Sequence, residues 1–205
     1  MVKEIRIYIE GGGDGKNTKA LMKQGFRQFF QGFKLNITIC GSRSNTFRDF
    51  KNALKSHPDA FNILLVDAEA LVTITSPWGH LKSTDNWDKP PGVDDSQCHL
   101  MVQLMETWFI ADIETLKKFY GKNFQENAIP KTVNVETIDK QNVERSLKAA
   151  TRNTSKGEYQ KIKHASKLLE SLDVAKVRQA SPYCDSASAD LSVRLFTTLD
   201  KITKV

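Results

Sequence analysis

The chain has 205 residues, enough for one sizeable domain or one domain with a helical extension, which excludes a multidomain machine. Hydrophobic residues make up 40% and charged residues 26%, the balance of a chain with a packed core rather than of a disordered one. The formal net charge of +6 points mildly to an anionic partner such as nucleic acid.

The first segment, Val2 to Glu10, alternates Ile5, Ile7 and Ile9 with Arg6 and Tyr8, a strand pattern that ends on a carboxylate. Glycines 11, 12, 13 and 15 break it, and from about Lys16 to Phe33 the apolar residues Ala20, Leu21, Phe26, Phe29 and Phe30 recur at helical spacing. Leu35, Ile37 and Ile39 then alternate as a second strand up to Gly41, and Phe47, Phe50 and Leu54 predict a helix over Thr46–Ser56. The run Phe61 to Val66, ending at Asp67, is apolar at every position but Asn62, as expected of a strand covered on both faces in a parallel sheet. Residues 75–97 read as an inserted loop with Pro77, Pro90, Pro91, Trp78 and Trp87. His99–Met105 reads as a further strand, followed by one helix over Glu106–Tyr120 that Gly121 closes. After Pro130 the strand signals stop, and helical patterns cover roughly 139–151, 158–171 and 185–202. The expected fold class is α/β, a mostly parallel Rossmannoid sheet flanked by helices over residues 1–130, with a basic helical extension over 131–205 packed on it.

Cys40, Cys98 and Cys184 have no metal-ligand spacing, and their odd number suits reduced thiols. With no run of about 18 apolar residues and no signal-peptide core, the sequence predicts a cytoplasmic protein without a membrane segment.

The glycine cluster fails the nucleotide-loop templates. GxxxxGK[ST] would need glycine at Glu10 and Ser or Thr at Asn17, and GxGxxG would need glycine at Lys16 or Thr18. What the cluster has is a carboxylate at each end, Glu10 and Asp14, and the later strand ends in Asp67-Ala68-Glu69. Open α/β sheets bind ligands beyond the carboxyl ends of their strands, where these acids gather. Acids meeting there repel one another unless a cation neutralises them, and carboxylate oxygens are hard ligands suited to Mg²⁺ or Mn²⁺.

A strand ending in Glu10, then a glycine-rich turn with Asp14, then a later strand ending in Asp67-x-Glu69, resembles the Toprim metal-binding pattern and the Toprim domain of OLD-type nucleases. The segments Ile7–Asp14, Leu64–Glu69, Met101–Asp112 and Lys161–Ala165 are similar to the AriB-like family of small Toprim-like proteins, which supplies the effector of the PARIS phage-defence system. The resemblance implies a metal-dependent endonuclease acting on RNA such as tRNA in preference to DNA, using a pair of Mg²⁺ or Mn²⁺ ions. It further implies a toxic antiviral effector that works beside an ABC-type ATPase sensor, with a homodimer as an active form. It assigns Glu10, Asp67 and Glu69 as catalytic metal ligands, Asp14 as a second-metal ligand, and Glu106 as the remaining acid. The third acid is Glu where Asp is commonest, and the context of Glu106 departs from the SxE motif of the larger OLD enzymes.

Toprim topoisomerases use a tyrosine nucleophile; Tyr8, Tyr120, Tyr159 and Tyr183 carry no local sign of that role, so hydrolysis is favoured. Residues 131–178 hold 11 Lys and Arg against 6 Asp and Glu, and Arg152, Lys156, Lys161 and Lys163 cluster as a nucleic-acid-contacting surface requires. The Lys-x-Lys-His-Ala segment gives Lys163 and His164 a catalytic-support role by the same resemblance. Two other classes fit the residues: a metal-dependent phosphoryl-transfer enzyme for a small substrate, and a non-catalytic partner subunit of an ATPase complex.

Overall fold

A computed structural model describes residues 4–183 and 194–203. Val2, Lys3, Cys184 and the first part of the helix expected over 185–202 lie outside the described residues. The order is β1 (Ile5–Glu10), α1 (Lys16–Phe29), β2 (Leu35–Gly41), α2 (Arg43–Ser56), β3 (Phe61–Asp67), α3 (Pro77–Asp85), β4 (Cys98–Met101), α4 (Glu106–Ala111), α5 (Ile113–Tyr120), α6 (Lys140–Thr151), α7 (Lys161–Ser171), α8 (Val174–Ala180) and α9 (Leu195–Thr203). The strands form one four-stranded, all-parallel sheet in the order β2-β1-β3-β4. The protein is thus α/β and Rossmann-like, its sheet flanked by helices.

The alternation in β1 and β3 sorts the core into two layers. Ile5, Ile7, Ile9, Ile63 and Leu65 pack on one face against Met22, Phe26 and Phe29 of α1 and against α4 to α9. Tyr8, Leu64 and Val66 pack on the other against Phe47 and Phe50 of α2 and Trp78 and Leu81 of α3. Every β3 side chain from Asn62 to Asp67 is buried, as its apolar run requires. Leu147 of α6, Leu168 of α7 and Phe196 of α9 belong to the first layer, so the segment beyond residue 130 shares the core of the sheet. At the α1–α7 interface, a Cβ on Gly25 would lie 2.7 Å from the Ser166 carbonyl oxygen, so only glycine permits this backbone approach.

Several elements differ from the sequence expectations, among them the first helix, which ends at Phe29 rather than Phe33. α2 starts at Arg43, because Ser42 caps it by accepting from the Asn45 N–H. The inserted loop contains α3, started by Ser76 as cap and Pro77 at the first position and stopped by Asn86 in the left-handed region. β4 ends at Met101 rather than at residue 105: the Asp67 carboxylate takes the Met105 N–H at 2.7 Å, where the backbone has turned towards α4. The helix expected over Glu106–Tyr120 breaks at Asp112, whose φ of −125° and ψ of 74° are not helical. Its carboxylate accepts from Thr115, the Asp173 N–H and Lys176, capping α5 and tying it to α8, an element with no counterpart in the sequence reading.

Candidate metal centre

In a sheet ordered β2-β1-β3-β4 the chain leaves β1 in one direction to form β2 and returns in the other to form β3. The crevice at the carboxyl ends of β1 and β3 is therefore the switch point, the usual ligand position in open α/β sheets. Glu10 is the last residue of β1 and Asp67 the last of β3, and Glu69 follows two residues later. One carboxylate oxygen from each of these three lies within 4.8 Å of the others. Between Glu10 and α1, Gly11, Gly12 and Gly13 have φ values of 128°, 78° and 59°, which side chains rarely adopt. The turn leaves β1 without covering the carboxylates. Glu69 itself sits at φ 65°, a left-handed conformation for a residue with a side chain; such positions cluster at functional sites.

Each acid has a cation. Arg43, the first residue of α2, donates to Glu10 at 3.0 Å and to the Asp67 carbonyl at 2.5 Å, and its remaining nitrogens form a forked pair with Asp85 at 2.5 and 2.7 Å. Lys161, at the start of α7, lies 3.4 Å from Asp67 and 3.2 Å from Glu106. Lys140, at the start of α6, donates to Glu69 at 2.6 Å. The backbone adds two donors: the Asp67 N–H to Glu10 at 3.2 Å and the Met105 N–H to Asp67 at 2.7 Å.

Burial and crowding still dominate the electrostatics. Burial, and then the charge of Asp67, push the Glu10 carboxyl up to about 7, against the pull of Arg43. Asp67 is likewise raised, first by burial, with Lys161 opposing and Glu106 and Glu69 reinforcing. Burial works against the ammonium of Lys161, yet Asp67 and Glu106 outweigh it and hold its pKa above the usual lysine range. Two buried carboxyls resisting ionisation in one crevice is the state a divalent cation relieves.

Of the residues singled out in the sequence, Glu10, Asp67 and Glu69 are brought together. Glu106 is buried one lysine away, its other oxygen accepting from the Tyr159 hydroxyl at 2.9 Å. Asp14, assigned as a second-metal ligand, is exposed in the glycine turn and outside the three-acid cluster. Lys161, assigned to nucleic-acid contact, faces the acids instead. His164 is buried behind the centre. Its Nδ1 accepts from the Gln160 N–H at 3.2 Å and pairs with the Tyr120 hydroxyl at 3.1 Å, while burial lowers its pKa. Lys163 points its ammonium at the Lys156 carbonyl, 3.4 Å away, and Arg152 and Lys156 are exposed. Arg43, Lys140 and Tyr159 were not anticipated. Only Arg43 has a local signal, its place directly after the capping Ser42.

Fold and site together define a Rossmann-like α/β protein with a carboxylate cluster at the switch point of its parallel sheet. The family model for a domain of unknown function, DUF4276, matches residues 9–191, and the chain belongs to that family. No curated protein and no solved structure matches it. Among the described residues, no helix is long and apolar enough to cross a membrane.

Proposed function

We propose that the protein is a divalent-metal-dependent phosphodiesterase of the Toprim type, a nuclease for RNA in preference to DNA. The observation that carries this reading is the convergence of Glu10, Asp67 and Glu69 within 4.8 Å at the switch point. Their donor set fits the group: three hard carboxylates, one of them with its pKa raised to about 7 beside another acid, suit Mg²⁺ or Mn²⁺. Glu10, Asp67 and Glu69 would hold the ion, with Glu106 adjacent. Such an ion supplies charge that makes bound water acidic and stabilises a leaving oxygen.

The chain's own residues set the stage for that chemistry. Arg43 fixes Glu10 and the carbonyl end of β3 in one geometry, and Asp85 keeps its guanidinium from turning away. The Met105 N–H orients one oxygen of Asp67, leaving the other facing Lys161. Tyr159 orients Glu106. The resemblance of the glutamate, glycine-turn and Asp-x-Glu segments to the AriB-like Toprim family supports the further reading of a toxic anti-phage effector partnered by an ABC-type ATPase.

One observation favours a second reading. Arg43, Lys140 and Lys161 already pair with all of these acids, as in a structural ion-pair network of a non-catalytic ATPase partner. Incubating the protein with RNA, DNA and nucleotide phosphoesters in Mn²⁺ separates the readings. The nuclease reading predicts cleavage of RNA that Glu10→Gln and Asp67→Asn both abolish. Cleavage unchanged in both variants would sink it, and cleavage confined to the small esters would point to the small-substrate enzyme.

A further inference from the structure

On the face of α2 turned away from the sheet, α2 and residues 86–91 enclose a concave surface of about 930 Å³. Arg48, Lys51 and Lys55 line one wall, three and four residues apart and so on a single helix face, forming a row about 10 Å long. Lys89 faces them from the other wall, with Asn52 and Asn86 as neutral donors. The lining holds those four cations and one carboxylate, Asp88, which is paired with Lys82 at 2.9 Å. Arg48 leans on Asp49, but Lys51, Lys55 and Lys89 have no carboxylate partner among the described residues. Like charges at helical spacing repel unless an anion lies across them.

The groove is also joined to the candidate centre. Lys51 sits 4.4 Å from the centre of the Phe47 ring, Phe47 stacks on Trp87 with centroids 4.2 Å apart and planes at 11°, and the Arg43 guanidinium lies 5.1 Å from the centre of the Trp87 ring. Arg43 is the residue that donates to Glu10. One arginine therefore borders both the groove wall and the carboxylates.

We infer that this groove binds the phosphate backbone of a single-stranded nucleic acid and leads it to the carboxylate cluster. That the bound strand is the substrate rests on the nuclease reading above; the binding does not. A row of about 10 Å exceeds one phosphate group and matches a chain of them. With Trp87 already held against Phe47 and Arg43, the groove offers cations and amides to phosphates rather than a platform for bases, so it follows the backbone with little regard to sequence. A concavity of this size takes a few nucleotides of one strand.

The test is fluorescence anisotropy with a labelled single-stranded RNA twelve-mer, full-length protein and EDTA, so that binding is read without metal chemistry. Lys51→Glu/Lys55→Glu is expected to weaken binding about tenfold or more and to flatten the dependence of log affinity on log salt by about 0.7 for each phosphate no longer neutralised. Lys118→Glu/Lys148→Glu changes the net charge equally at exposed sites elsewhere and is expected to stay within about twofold of wild type. All of these lysines are exposed, so circular dichroism should show each variant folded, with a cooperative melt. The groove assignment is overturned if the Lys51/Lys55 variant binds like wild type, if the Lys118/Lys148 variant loses as much, or if inorganic polyphosphate of equal charge or a duplex binds as tightly. A groove that binds RNA in a protein whose Glu10 and Asp67 bind no Mn²⁺ would remove the nuclease reading alone. Metal-dependent cleavage that survives Lys51→Glu/Lys55→Glu undiminished would show that the groove does not lead the substrate to the acids, and would leave the nuclease reading standing.

Discussion

At the carboxyl edge of the sheet every acid of the cluster has a cation within reach, Arg43 for Glu10, Lys161 for Asp67 and Lys140 for Glu69, whereas on the outer face of α2 the cations Lys51 and Lys55 face solvent without carboxylates. The two regions sit back to back on α2 and share Arg43. A charge count along the chain does not show this difference. In residues 131–178 five of the eleven cations pair with acids: Lys140 and Lys161 with the central acids, Lys167 with Glu170, Lys176 with Asp112 and Arg178 with Asp200. Lys51, Lys55 and Lys89, which line one groove without carboxylate partners among the described residues, lie in a half of the chain that is nearly neutral by count.

The largest effect that would break this comparison is on activity. Glu10→Gln and Asp67→Asn should each lower Mn²⁺-dependent RNA cleavage by about a thousandfold or more while the protein still folds, because amides keep the shape and lose the ligand charge. Asn at 67 can still accept the Met105 N–H.

Next in size is Arg43→Ala, which strips the counter-charge from Glu10 and Asp85 together. It should cost about 3 kcal/mol in urea denaturation, with Arg43→Lys recovering part of it, since the forked pair to Asp85 needs a guanidinium. A cost below about 0.5 kcal/mol would mean that the pair is no more than a surface ion pair.

A smaller structural effect is expected for Gly25→Ala. Alanine is the better helix former by about 1 kcal/mol, but its Cβ would meet the Ser166 carbonyl oxygen at 2.7 Å and push α7, with Lys161, away from the sheet. Net destabilisation of about 1–2 kcal/mol is expected from thermal melts, and a stabilised variant would show that α7 adapts freely.

The last is a pH dependence. With Glu10 raised from 4.5 to about 7, the folded state holds its proton more tightly than the unfolded chain, so stability in EDTA should fall as pH rises through that window. The raised Asp67 acts in the same direction. Glu10→Gln should flatten the slope, and Mn²⁺ should reverse it by favouring the ionised forms. A melting temperature that climbs from pH 4.5 to 7 without metal, equally in wild type and Glu10→Gln, would contradict the assigned electrostatics.

Much of the fold was legible because strands buried on one or both faces leave period-two or continuous apolar runs. Ile5, Ile7 and Ile9, and the run from Phe61 to Val66, announce β1 and β3, and their ends place Glu10 and Asp67 on one edge. α3 was not legible because its start is a two-residue signal, Ser76-Pro77, inside a segment with little apolar periodicity. The break at Asp112 was hidden because one capping carboxylate interrupts an otherwise continuous helical pattern. At the site, the acids were legible from strand ends, but their partners were not: Lys140 and Lys161 arrive from α6 and α7, and nothing local distinguishes them from other exposed lysines of the basic segment. The exposure of Asp14 was not legible, since four residues of separation from Glu10 says nothing of which way a glycine turn points.

The central claim is that Glu10, Asp67 and Glu69 form a divalent cation site rather than a closed ion-pair network. Isothermal titration of Mn²⁺ into the protein at about pH 6, below the raised Glu10 pKa of about 7, addresses it directly. The account predicts saturable binding in the wild type that is lost in Glu10→Gln and in Asp67→Asn, together with release of protons from the raised carboxyls. Absence of binding in the wild type, or equal binding in all three proteins, would contradict it.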